Sequence, residues 1–359
     1  MTTSPLEKPM PPGRGRRLFT AMGYALRAVK ALPAPLRERL LESATGSVTT
    51  TLPPFEDTLR LVEAAGGIPD GTRWQQRLLE RRPHLRGVRT RNIADDTDGR
   101  VRARLYLPPT GAPAATAAFV WVHGGAFITG SLDQIESYWP AIEIAAAGIP
   151  VLSVDYRQAL NGVHYPQPQD DVLSAWRWAT THATELGVTA DQLHLGGASA
   201  GGCLVAGSAL RLREAGDKLP ASIYLAYPVL QGTLPPATAD MAKSLTAPGL
   251  PDDRWVTGMF NNWAGPAAHS NPLVAPGLAN PVGLPPTYVL TCGIDLLRRA
   301  SEPYVERLRE ADVSVWQDVF PESRHGLYDR PQTADAQLAI NRLRTWLTGG
   351  IDAMDHERF

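Results

Sequence analysis

Ser199 stands in Gly197-Ala198-Ser199-Ala200-Gly201, a G-x-S-x-G run placed where the apolar stretch Leu193-His194-Leu195 gives way to small residues and a helix-like pattern. Glycines two residues either side of a serine suit a tight strand-to-helix turn that projects the hydroxyl outward. A hydroxyl is a weak nucleophile by itself. It needs a base to take its proton, a carboxylate to orient that base, and donors for the oxyanion formed when it attacks a carbonyl. Many small-residue turns share this spacing, so the other three parts decide the matter.

His123-Gly124-Gly125-Ala126-Phe127 follows the apolar run 118–122. Successive glycines after a buried strand let backbone N–H groups turn toward one point, as an oxyanion hole requires; the plainer alternative is a tight turn with a solvent-facing histidine. The run does not complete G-x-G-x-x-G and so is no dinucleotide fingerprint. Asp295 falls just past the run 287–291 and is the only acid at that strand end, since Glu302 already belongs to the next helix pattern. Asp also caps helices, so its local sequence permits both roles. His325 lies in a loop, 321–326, between the last strand and the last helix. Among the other histidines, His194 falls in a strand, His182 in a helix pattern, and His84, His269 and His356 in segments with no matching partner. His123, His164 and His325 combine loop placement with the right side of a sheet, and His325 is the one that follows the acid. The chain order Ser, Asp, His is that of the α/β-hydrolases.

The elements that must hold these residues are legible as alternating apolar runs and amphipathic segments. Strands are expected at 88–93, 101–107, 118–122, 150–154, 193–195, 222–227, 287–291 and 313–320, and helices at 134–147, 168–186, 201–215, 300–310 and 333–347. The polar turn sequence 94–99 makes the first two strands a hairpin. Strand-helix alternation with buried runs predicts a mostly parallel sheet covered on both faces, with ligands binding beyond the carboxyl ends of the strands. Residues 231–270 interrupt this alternation. They are rich in Pro, Ala and Gly, yet carry Trp255, Met259 and Trp263 at helical spacing, so a short helix with one aromatic face is expected, packing on the sheet domain or roofing a pocket.

Ahead of the first strand, residues 1–12 read as a tail, and helices are expected at 18–32, 35–43 and 55–65. The expected organisation is a tail and helical cap segment over 1–85, a catalytic domain over 86–230 and 271–350, a second cap segment over 231–270, and a tail over 351–359. Arg16-Arg17-Leu18-Phe19 loosely follows a twin-arginine export pattern, but Arg27 and Lys30 interrupt the apolar stretch and an amphipathic helix is the plainer reading; a cytoplasmic location is expected, with export as the alternative. A net charge of −1 over 359 residues supplies no field to recruit nucleic acid, and no run of about 18 apolar residues predicts an integral membrane segment. Cys203 and Cys292 are the only cysteines, too few for a disulfide framework and outside any zinc pattern.

Taken together, the sequence resembles the hormone-sensitive-lipase-like branch of the α/β-hydrolase fold, the bacterial esterases related to acetyl-hydrolases. The resemblance runs from roughly Val101 to Leu347 and rests on 123–127, Asp155-Tyr156-Arg157, Tyr165-Pro166, 197–202, Tyr227-Pro228, Asp295-Leu296-Leu297-Arg298 and His325-Gly326, in the family's order. It implies an eight-stranded, mostly parallel sheet with helices on both faces and a helical cap. It also implies Ser199 as nucleophile, His325 as general base and then acid, Asp295 as the residue orienting the imidazole, and backbone donors from Gly124, Gly125, Ala126 and Ala200. No metal or organic cofactor is implied. Three positions depart from the family pattern: Ala126 in place of a third glycine, Ala198 before the nucleophile, and 158–162 in place of a Leu-Ala-Pro-Glu-like run.

The expected activity is hydrolysis of small to medium acyl esters through an acyl-enzyme. The alternatives are deacetylation, lactone opening or acyl transfer with the same triad, or a non-catalytic receptor on this fold. Leu132, Tyr138, Trp139, Trp255, Met259 and Phe260 are the expected pocket lining. The expected partner is a small-molecule ester, and the last strand, as a sheet edge, suggests a homodimer.

Overall fold

The computed structural model describes residues 52–65, 72–97, 99–247, 249–267 and 269–356. The expected helices at 18–32 and 35–43, the twin-arginine-like run and the N-terminal tail lie outside them. Eight strands form one sheet: β1 (Arg89–Asp95), β2 (Val101–Leu107), β3 (Ala118–Val122), β4 (Val151–Val154), β5 (Leu193–Ala198), β6 (Ile223–Ala226), β7 (Thr287–Ile294) and β8 (Val315–Arg324), in the order β1-β2-β4-β3-β5-β6-β7-β8. The β1-β2 hairpin and the β2-β4 pair are antiparallel, and every other pair is parallel. The expected α/β-hydrolase architecture is thus present, with β8 at the sheet edge.

Two-residue periodicity assigns the strand side chains to two cores. Val120 and Val122 of β3 face one cluster with Leu195, Leu225 and Val289, and Phe119 and Trp121 face the other with Tyr224, Tyr288 and Trp316. The first face is covered by α4 (Gln167–Thr181), α5 (Ala200–Ala215) and α8 (Arg298–Glu310), and the second by α3 (Ile135–Ala146) and α9 (Ala334–His356). The described part of 1–85 divides between the two cores. On α1 (Phe55–Ala65), Phe55 and Val62 join the first core, with Phe55 edge-on to Trp255 of the 231–270 insertion, whereas Leu78 of α2 (Thr72–Arg81) joins the second, next to α3. Arg82, just after α2, ties down that side by bonding the buried Glu143 and donating to the carbonyl of Pro331 at 2.8 Å.

The chain beyond 350 also departs from the expected tail. Gly350 takes φ 63° and kinks α9, but the helix continues to His356 because Met354 is fully buried in the second core. The 231–270 insertion contains α6 (Ala239–Ser244) and α7 (Asp253–Ala264), the latter capped by Asp252, whose carboxylate accepts the Trp255 N–H at 2.8 Å. It is tied to the start of α8: Arg299 forks onto the Asp253 carboxylate (2.6 and 3.0 Å) and donates to the carbonyls of Pro235 and Leu234.

Sheet register sets where loop residues emerge. Val122 pairs with Gly197, so the 123–127 loop leaves the sheet beside the serine turn. Ala198 pairs with Ala226, placing Tyr227 next to Ser199, and Ile294 pairs with Arg324, so Asp295 and His325 leave their strands side by side.

Away from these ends, His194 of β5 is largely buried with Nδ1 2.7 Å from Ser222 Oγ, and burial pushes its pKa down to about 4. An unfolded chain binds that proton near 6.5. Between those values the unfolded state therefore carries more protons, and the stability contributed by a neutral His194 is lost as pH falls from about 6.5 toward about 4, by up to roughly 3 kcal/mol. His194→Gln should lose less stability than the wild type between pH 7 and pH 4.5 in urea titrations. Equal losses would show that His194 does not contribute.

Candidate active site

β5 ends in a turn that places Ser199 at φ 54°, ψ −117°, a backbone conformation a side chain rarely adopts and one that costs about 1–3 kcal/mol. The surroundings hold it there. The Ser199 N–H donates to the Ala226 carbonyl (2.9 Å), and the Ser199 carbonyl accepts from Val229 (3.0 Å) and from Cys203 in the first turn of α5 (3.3 Å). The consequence is a hydroxyl aimed away from the sheet at the N-terminus of α5, where backbone donors lack intrahelical partners.

Three residues from three strand ends meet at that hydroxyl. His325 Nε2 lies 2.9 Å from Ser199 Oγ, and its Nδ1 lies 2.7 Å from Asp295 Oδ2. Asp295 is 3% exposed, and its other oxygen accepts the Leu297 N–H at 3.0 Å. Asp295 does not cap α8, whose N-cap is Leu297; one of its oxygens shapes the turn that leads into that helix and the other receives His325. With Nδ1–H donating to Asp295, the Nε2 lone pair faces the serine hydroxyl. Burial favours the neutral imidazole, but the charge and hydrogen bond of Asp295, helped by the charges of Glu136 and Asp329, outweigh it and raise the His325 pKa above 6.5.

The loop after β3 runs through left-handed backbone at Gly125, Ala126 and Phe127 (φ 128°, 54° and 63°). The Gly125 carbonyl anchors it by accepting from Ile128 N (3.1 Å), Thr129 N (2.8 Å) and Thr129 Oγ1 (2.9 Å). A Cβ on Gly124 would lie 2.9 Å from the Ser199 Cβ, so this loop and the serine turn are in direct contact. Gly124 itself leaves the set of expected oxyanion donors, because its N–H is committed to Glu136 Oε2 at 2.7 Å. His123 is not solvent-facing either. It is buried, with Nδ1 2.7 Å from the Gly124 carbonyl and its ring stacked on Tyr156, and burial holds its pKa below the usual value.

Glu136 and Tyr227 are additions that the sequence reading missed. Glu136 is 1% exposed and takes the Tyr227 O–H on its second oxygen at 2.8 Å, while the Tyr227 ring stands edge-on to His325 at 5.1 Å between centroids. A signal existed: Glu136, Trp139 and Glu143 share one helical face, and acids on a face that must be buried demand partners.

The expected pocket residues do not converge. Tyr138 and Trp139 belong to the second core on the far face of the sheet, against Trp74, Tyr106 and Tyr328, because the face of α3 that carries them packs on the sheet. Leu132 is half-buried in the turn ahead of α3. On α7, half-buried Trp255 meets Phe55 edge-on at 5.4 Å, Met259 is buried in the first core, and Phe260 packs against Gly232 and His269. From α7, Trp263 reaches the loop after β3, stacked on Phe127 at 4.8 Å and 7°.

Comparison with known proteins agrees with this geometry. Residues 119–329, more than half of the chain, match the alpha/beta hydrolase fold family. The chain is similar to Esterase LipI of Mycobacterium tuberculosis, with 34% identity over 254 residues, 68% of this chain and 77% of that protein. It is 35% identical to the Bos taurus hormone-sensitive lipase over 146 residues, 38% of this chain and 19% of that one. A solved esterase of the bacterial hormone-sensitive lipase family shares the fold with a TM-score of 0.67 at 24% identity, over 94% of this chain and 99% of that chain. The chain belongs to the alpha/beta-hydrolase fold family, in its hormone-sensitive-lipase-like branch.

Proposed function

We propose that the protein hydrolyses carboxylic esters of small to medium acyl groups through a covalent acyl-enzyme on Ser199. The observation that carries this reading is the hydrogen-bonded line Ser199–His325–Asp295, with links of 2.9 and 2.7 Å. In the first half-reaction His325 Nε2 takes the hydroxyl proton as Ser199 Oγ bonds to the carbonyl carbon, and Asp295 steadies the imidazolium. The N–H groups of Gly125, Ala126 and Ala200 receive the oxyanion. His325 then hands its proton to the departing alcohol oxygen, leaving the acyl group on Ser199. Water, deprotonated by the same nitrogen, completes the cycle. The name of the relative LipI supports ester bonds over amides. In this reading α1 and the 231–270 insertion cover the site, with Trp263 and Phe127 joining cover to oxyanion loop.

The test is a fluorophosphonate probe followed by peptide mapping, together with hydrolysis of p-nitrophenyl esters. One label on the Ser199 peptide is expected, and a label confined to another residue would overturn the assignment. The base must be neutral to work, so kcat/KM should fall tenfold per pH unit below a limb lying above pH 6.5. Asp295→Asn removes the charge that raises that limb, and should move it to lower pH while reducing kcat by roughly 10³-fold or more. A limb unmoved by that change would refute the coupling.

A further inference from the structure

We propose that Glu136 is a positioning residue of this site, a buried brace that fixes the oxyanion loop to the wall carrying His325. The proposal rests on the serine-hydrolase reading above and adds to it a residue outside the triad. Glu136 is the second residue of α3, and its carboxylate has two partners from two other parts of the fold: the Gly124 N–H (2.7 Å) on one oxygen and the Tyr227 O–H (2.8 Å) on the other. Neither partner is incidental. The Gly124 peptide is held from its far side as well, its carbonyl receiving His123 Nδ1 (2.7 Å) and Gln134 Nε2 (3.2 Å), so the orientation of the following peptide, which carries the Gly125 N–H, follows from these bonds. Tyr227 leaves β6 at φ 38°, donates its N–H to the Leu290 carbonyl (2.6 Å), and accepts the Tyr328 N–H on its hydroxyl (3.3 Å) while its ring packs on His325. One carboxylate thus spans the donor loop and the support of the general base without touching the serine.

A helical glutamate at 1% exposure would be an expensive way to hold two elements together if packing were the whole purpose, because a buried carboxylate must recover its lost hydration. Burial, reinforced by the charge of Asp329, pushes Glu136 up to about 7, while Tyr227, His325 and the Gly124 N–H favour the ionised form. The titratable groups facing it are Tyr227, His325, Asp329, Tyr156 and Tyr328, and only His325 gains from its charge during the reaction. Glu136 therefore has two separable effects, geometric through its hydrogen bonds and electrostatic on the imidazolium.

Two variants separate them in the full-length protein. Glu136→Gln keeps an acceptor for Gly124 and removes the charge; Glu136→Ala removes both. With p-nitrophenyl butyrate, Glu136→Ala should lower kcat about tenfold or more with KM changed less than threefold. Glu136→Gln should keep a larger share of kcat but move the acidic limb of kcat/KM down by about half a pH unit or more. A merely structural role would lower stability in both variants and leave that limb where it is. Wild-type kcat in Glu136→Ala together with an unmoved limb in Glu136→Gln, with wild-type Ser199 labelled by fluorophosphonate, would overturn the brace and leave the hydrolase reading intact. An unlabelled, inactive wild type would instead remove the reading on which the brace rests.

Discussion

Ser199→Ala is expected to lower kcat/KM toward p-nitrophenyl butyrate by about 10⁴-fold or more, which corresponds to roughly 5.5 kcal/mol of transition-state stabilisation. The size follows from the proposed covalent route: without Oγ, His325 would have no nucleophile to activate, and what remained would be water attacking an ester polarised by backbone donors. Stability should hardly change, because alanine keeps the same Cβ and the same unfavourable φ of 54° that the Ala226, Val229 and Cys203 hydrogen bonds enforce. Ser199→Gly should be equally inactive and more stable by roughly 1 kcal/mol, since glycine relaxes that backbone. Adding His325→Ala to Ser199→Ala should cost little more, as residues acting as one unit are not additive. Steady-state kinetics beside urea midpoints decide the point, and Ser199→Ala turnover within tenfold of wild type would remove Ser199 from the chemistry.

How far the site could be read in advance differs from residue to residue, for a physical reason in each case. The meeting of Ser199, Asp295 and His325 is legible because each follows an apolar run, and strand ends in a parallel sheet put such residues on one side. The strand runs themselves were clear over 101–107 and 118–122, where alternate side chains enter two separate cores. Gly124 could not be removed from the donor set beforehand, because its partner Glu136 lies 12 residues on and looks like an ordinary helix-opening acid until the helix face is known to be buried. Tyr138 and Trp139 misled for a related reason: they are two of a run of buried residues around α3, and periodicity does not say against which face of the sheet a wholly buried helix packs. α2 escaped notice because its ten residues TRWQQRLLER are mostly polar, and what holds the segment is Leu78 together with Arg82 reaching Glu143 and Pro331, contacts far away in sequence.

The second large effect concerns a residue that performs no chemistry. Gly201→Val places a side chain where an ideal Cβ lies 2.2 Å from the Val122 carbonyl oxygen and 2.4 Å from that of His123. Both are backbone atoms of the β3 end, so no rotamer change relieves the clash, and α5 must lift from the sheet or β3 must shift. Gly197 on the other side of the serine is equally confined, its Cβ direction meeting the Gly201 carbonyl carbon at 2.5 Å. Helix propensity argues the opposite way for the milder variant: glycine to alanine inside α5 should gain up to about 1 kcal/mol. Overpacking against fixed backbone costs about 1–3 kcal/mol even where side chains can give, and here they cannot, so packing should win and Gly201→Ala should be destabilised. Gly201→Val should lose roughly 3 kcal/mol or more. The displacement also acts on catalysis, because moving α5 carries the Ala200 N–H and Ser199 away from Gly125 and Ala126, and misplacement by about 1 Å is worth roughly 10²-fold in rate. Folded Gly201→Ala, measured at saturating osmolyte to separate activity from stability, should therefore show kcat reduced by about that factor. A Gly201→Ala protein more stable than wild type with unchanged kcat would show that α5 and β3 are not in the close contact that positions Ser199.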